Sequence, residues 1–246
     1  MTDIRLDNPR AVKLDRMRYT KNVFSSRLTY LAILFNVFYF VSIYGSDVGS
    51  WYYQLLIGGS IVYNLVFMLI TFLASEGVKN YKLSYSMLLV AAGAGQIVRI
   101  YILPQQAVQA SVVIKSVSHP VMGAAQAGWV IVCLVLSAVC CLVAGAVGAY
   151  RSGRITAYDT EKAKGMPAAI AAGKDKVLLL CSVLLLVVGV ALIFVTFRVL
   201  HPIFNKLYIT IPALIVAAGC LGMGTVGIYR SGLMNAYSIL NGGKAA

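Results

Sequence analysis

At 246 residues the chain is long enough for one or two soluble domains, but 60% of it is hydrophobic, 12% is charged and its mean hydropathy is +0.82. Soluble chains average about 45–50% apolar and about 25% charged residues, so this one lacks the polar surface to cover a globule. The net charge of +13 would point to nucleic acid in a soluble protein, but here the basic residues lie between and outside the apolar runs, with no base-stacking aromatics among them. The expected class is an all-α integral membrane protein, with no nucleic-acid partner.

Residues 1–27 form a basic arm with seven Lys/Arg and three Asp. Asp7-Asn8-Pro9 is a helix-start pattern, and Leu14, Met17, Phe24 and Leu28 recur at helical multiples beside Arg16, Arg18 and Lys21. The arm reads as a positive flank of the first span or a surface helix on an anionic leaflet.

Six apolar stretches follow, at 28–44, 53–74, 85–103, 128–150, 177–200 and 207–229. Each is continuous rather than alternating and long enough to cross about 30 Å of hydrocarbon as a helix. The first reads as a retained span: its basic flank is long, no small-residue cleavage site follows, and Trp51-Tyr52-Tyr53 makes an interfacial belt. The division expected is an arm (1–27) and three helical hairpins: 28–84, 85–176 and 177–246. The second includes an external loop at 104–127 and a linker at 151–176.

Sidedness follows from the basic residues. The N-terminus, 75–84, 151–176 and the segment after 229 hold seven, two, six and two Lys/Arg, whereas 45–52, 104–127 and 201–206 hold none, one and one. The positive-inside rule puts the first set, and both termini, in the cytoplasm. Which membrane is involved is not written in the sequence.

An internal repeat is the most specific feature. Gly145-Ala-Val-Gly-Ala-Tyr-Arg-Ser-Gly-Arg-Ile-Thr-Ala-Tyr158 recurs as Gly224-Thr-Val-Gly-Ile-Tyr-Arg-Ser-Gly-Leu-Met-Asn-Ala-Tyr237, identical at nine of fourteen positions at an offset of 79. A fainter copy aligns Ser75 with Ser152 and Tyr81 with Tyr158. Three tandem two-helix units would all stand the same way up, because two crossings return the chain to its starting side. Mitochondrial carriers share that topology, but their P-x-[D/E]-x-x-[K/R] signature is absent and the likeness ends there.

Three groups of residues are candidates for function. Cys141, Gly145, Gly148 and Ser152, with Cys220, Gly224, Gly227 and Ser231, form small-residue stripes suited to close helix packing, or to a thin-walled groove at the bundle centre. Tyr150, Arg151, Tyr229 and Arg230 stand where two helices are expected to leave the membrane, with Gly153 and Gly232 as C-terminal caps. They suit lipid phosphate, an anionic solute or an acidic partner. Asn64, Gln96 and Arg99 are intramembrane polar residues that mark a candidate polar path; Asn36 is a fourth, and Arg99 lies in the outer part of the bilayer, where snorkelling and structural pairing are the alternatives to a functional role.

No catalytic or metal motif is present, the two histidines stand in no ligand spacing, and the five cysteines lie in apolar runs with no zinc or disulfide pattern. The sequence reads as a non-enzyme with no cofactor. The expected function is a non-catalytic polytopic subunit that contacts anionic lipid and assembles with copies of itself or other membrane proteins. The alternative is a passive channel or facilitator for a polar or anionic solute.

Overall fold

The computed structural model describes residues 13, 26–44, 62, 65–69, 83–109, 111–114, 117–120, 124–164, 174–200 and 207–240. Its helices are α1 (Ser26–Tyr44), α2 (Leu83–Gln109), α3 (Ala124–Lys164), α4 (Lys174–Val195) and α5 (Leu207–Leu240). A π-helical turn, Thr196–Leu200, continues α4. Each helix is built on an almost uncharged run of Leu, Val, Ile and Ala, and in lipid such a run is helical because every backbone polar group must find its partner within the segment.

Four of these helices are long and apolar enough to cross a bilayer, which makes the chain a multi-pass membrane protein by length and composition; α1 adds a shorter apolar stretch, Arg27–Tyr39. The second expected span, 53–74, lies outside the described residues except for 62 and 65–69, and most of the N-terminal arm and of the C-terminal tail also lies outside them.

Within the segment 104–127, α2 runs on to Gln109, and Ser111–Ile114 pairs antiparallel with Val117–Pro120 as β1 and β2, the only non-helical elements among the described residues. The expected helix ends are corrected. Helices α3 and α5 do not stop at Tyr150 and Tyr229 but continue to Lys164 and Leu240. At 41 and 34 residues they exceed the twenty or so that a bilayer requires.

The helices pack as two hairpins, α2 with α3 and α4 with α5, joined along α3 and α5; α1 lies against α3. Val90, Ala149, Leu186, Ile193, Ala217, Leu221 and Ile228 form a core shared by both hairpins. A second core gathers Ala32 of α1, Phe67, Leu89, Ala92, Cys140, Cys141 and Ala144. Beyond Tyr150 and Tyr229, Ala157, Tyr158, Ala236 and Tyr237 keep α3 and α5 together.

Candidate functional site

The two hairpins are built alike down to single contacts. A methyl group added at Gly145 would lie 2.9 Å from the carbonyl oxygen of Ser86, and one added at Gly224 would lie 2.9 Å from that of Ser182. Likewise Gly93 stands against the carbonyl of Ala138, and Gly189 against that of Ala217, at 3.1 Å in both. The first helices of the hairpins therefore correspond at an offset of 96 (Ser86 with Ser182, Gly93 with Gly189), and the second helices at the offset of 79 read from the sequence.

Corresponding residues also meet across the hairpins. Gly153 faces the backbone carbonyl of Tyr229, while its counterpart Gly232 faces that of Tyr150, each so close that no side chain fits between. At the other end, Tyr101 stacks on Phe197, its counterpart at offset 96, with ring centroids 5.8 Å apart and planes 6° from parallel. Reciprocal contacts of this kind are what a twofold axis between two copies generates. Here the axis runs along the helices, between α3 and α5.

This geometry corrects the reading of Gly153 and Gly232 as helix caps. Both are interior to their helices, and both are glycine because two backbones cross there. The stripe residues Gly145, Gly148, Ser152, Gly224, Gly227 and Ser231 are buried, as is Cys141, while Cys220 is half-buried. They are occupied in packing within the chain: Gly227, for instance, abuts the Ser182 hydroxyl.

The intramembrane polar residues are likewise engaged. Gln96 is fully buried, and its Nε2 donates to Asn36 Oδ1 at 3.0 Å. Arg99 does not snorkel: it is 8% exposed, donates from Nη2 to the Tyr39 hydroxyl at 2.6 Å, and sets its guanidinium 4.8 Å from the Tyr39 ring centre. Both bonds join α1 to α2 with the same sequence separation of 60, so the two helices run in the same direction. Ser137 of α3 adds a third tie, donating to the Ala32 carbonyl at 3.3 Å. Asn64 lies outside the described residues. The Nδ2 of Asn36 and Oε1 of Gln96 are buried without a partner.

The second hairpin lacks this chemistry. Gln96, Arg99 and Ser137 correspond to Leu192, Val195 and Val216, and Ala144 to Met223. Val195, Val216 and Met223 are all exposed. Where the first hairpin receives α1 through hydrogen bonds, the matching face of the second is aliphatic, as a lipid-facing surface requires.

The basic end differs as well. Ser231 donates to the carbonyl of Asp175 at 2.7 Å, and Asn235 Nδ2 donates to Asp175 Oδ2 at 3.0 Å, which ties α5 to the first turn of α4. Ser152, the counterpart of Ser231, is buried with no partner for its hydroxyl. Arg151 is half-buried and Arg230 exposed. Arg154 lays its guanidinium 5.7 Å from the Tyr150 ring centre, and its Nε is buried without an acceptor. No group of His, Cys, Asp or Glu among the described residues is arranged to hold a metal.

Tyr39, Asp175 and Arg154 were not singled out from the sequence. One signal was available: Asn36 and Tyr39 share the three-residue spacing of Gln96 and Arg99, which is what two parallel helices need to form paired rungs. No family model matches the chain, and neither does any curated protein or solved structure.

Proposed function

We propose that the protein is a non-catalytic subunit of a membrane complex, acting as a rigid helical scaffold. The observation that carries this reading is the engagement of Gln96 and Arg99 by Asn36 and Tyr39: the polar groups that a conduction path or a reaction centre would use are spent on holding helices together. The small-residue stripes are also closed within the chain. Partners would therefore meet the outer faces of the bundle and its basic end. Isolation from native membranes in mild detergent tests this: co-purification of a second membrane protein or of further copies supports it, and a lone monomer overturns it.

The proposal includes the finer topology. Six spans form three hairpins, all with the same orientation, and both termini lie in the cytoplasm. The common direction of α1 and α2 and the likeness of the last two hairpins support this arrangement, and the distribution of basic residues supports the sidedness. Epitope tags at the two termini should be protected or exposed together in sealed vesicles; opposite behaviour would refute the arrangement.

A facilitator is the second reading. It draws on the unpartnered Asn36 Nδ2 and Gln96 Oε1, a donor and an acceptor in a low-dielectric setting. It predicts solute flux in reconstituted vesicles that changes in Arg99→Ala.

A further inference from the structure

The two ends of the bundle are joined by different means. At the basic end α3 and α5 meet backbone to backbone at Gly153 and Gly232, Ala157, Tyr158, Ala236 and Tyr237 pack just beyond, and Ser231 and Asn235 bond to Asp175. At the far end side chains join the hairpins. The Tyr101 ring of α2 lies parallel to that of Phe197 of α4 and meets Phe194 edge-on, with centroids 5.8 and 5.7 Å apart. Phe194 is 52% exposed, so this cluster lies at the margin of the bundle and not in its core.

The helices are also irregular at this level. Phe197 sits within the π-helical turn Thr196–Leu200. In the second hairpin Gly189 lies against the Ala217 carbonyl and Gly224 against that of Ser182, a register that sets Phe194 level with Pro212, inside α5. In α2, Pro104 stands one turn beyond Tyr101, within Leu83–Gln109. A proline brings no N–H to the i→i−4 ladder and crowds the preceding turn, and a π turn breaks the same ladder with one extra residue. Three of the four helices of the paired hairpins therefore depart from regular α-helix in one layer, the layer of the aromatic cluster. A regular helix moves as a rod, whereas bending concentrates at prolines and π turns.

We propose that the far ends of α2, α4 and α5 form one cooperative unit that opens between the two hairpins while the Gly153/Gly232 crossing stays shut, with the Tyr101 ring as the latch. Tyr101 suits that role because it alone touches both Phe194 and Phe197 from the opposite hairpin, so its withdrawal releases two contacts at once. The inference goes beyond the scaffold reading, whose stiffness it confines to the basic end and the middle of the bundle, and it requires only the fold of the two hairpins.

Hydrogen exchange of the full chain in phosphatidylcholine nanodiscs, read by mass spectrometry, tests it. Amides at 97–101, 194–200 and 211–215 should share one opening equilibrium, as a cooperative unit does. Tyr101→Ala should raise exchange about tenfold or more in 194–200 of the other hairpin as well as in its own helix, the scale expected from losing two aromatic contacts. Phe197→Ala should do the same to 97–101. Tyr101→Leu keeps apolar bulk without the flat ring; it should give a smaller rise in the same places and stands in if the alanine variant fails to fold. Pro212→Ala, which supplies the ladder with an N–H, should slow exchange at 211–215. Amides at 145–153 and 224–232 should be unaffected by all four substitutions.

A rise confined to the helix that carries the substitution would mean that the far ends fray independently and would overturn the proposal. Equal acceleration at 145–153 and 224–232 would overturn it too, since the crossing would then open together with the far end. Isolation as a lone monomer would sink the scaffold reading and leave this exchange pattern standing.

Discussion

Gly153 lies directly against the carbonyl oxygen of Tyr229, with no space for a single added methyl group. Its counterpart Gly232 makes the same contact with Tyr150. The consequence is a backbone-to-backbone crossing of α3 and α5, held by van der Waals contact over small residues as membrane helices require.

Gly153→Ala and Gly232→Ala should each destabilise the bundle by about 1–3 kcal/mol, the range for overpacking a tight site. Because both act on one crossing, the double variant should be less than additive. Gly128 and Gly219 have nothing within 4 Å of an added methyl, so alanine there should be neutral or stabilising by up to about 1 kcal/mol through helix propensity. Thermal unfolding in detergent, followed by circular dichroism, reads all four.

Asn36 and Gln96 should be coupled. Asn36→Leu or Gln96→Leu alone strips one amide of its partner and should cost about 1–2 kcal/mol, whereas the double leucine variant should recover much of that loss. A coupling energy of about 0.6–1.7 kcal/mol in a double-mutant cycle is the expected scale for hydrogen bonds between membrane helices. Tyr39→Phe should cost a comparable amount, since it keeps the ring under Arg99 and removes only the acceptor.

Two serines at matching positions should respond differently. Ser231→Ala removes a bond to the Asp175 carbonyl and should cost about 0.5–1.5 kcal/mol. Ser152→Ala removes a buried hydroxyl that has no partner and should be neutral or stabilising. Melting temperatures of the two purified variants, compared with wild type, decide this.

The cysteines should sort by environment. All five are free; Cys133, Cys140 and Cys141 are buried, while Cys181 faces outward within an apolar helix. A membrane-impermeant maleimide should label none of these four before denaturation, and a lipid-soluble maleimide should reach Cys181 first. Mass spectrometry of the labelled peptides gives the order.

Much of the architecture was legible in the sequence because each feature has a local cause. Uninterrupted apolar runs specify helices wherever water is absent, and the small-residue stripes of the Gly145–Tyr158 and Gly224–Tyr237 stretches marked close packing without saying against which helix. The ends of those helices were misjudged, because a glycine after Tyr-Arg-Ser is a helix stop in isolation and a crossing point only when a second backbone arrives. The weaker repeat in the first helices was hidden by an offset of 96 rather than 79, the difference reflecting the unequal loops within the two hairpins. For Arg99 the sequence left snorkelling and structural pairing both open, because nothing in its own segment revealed Tyr39, sixty positions earlier.

The reciprocal contacts of Gly153 with Tyr229 and of Gly232 with Tyr150 are of the kind that relates the subunits of a twofold dimer, here made within one chain. A pairing within one chain is free of dilution, so the crossing holds at any protein concentration. The two hairpins it joins present different outer faces: one carries the polar ladder to α1, and the matching face of the other is aliphatic.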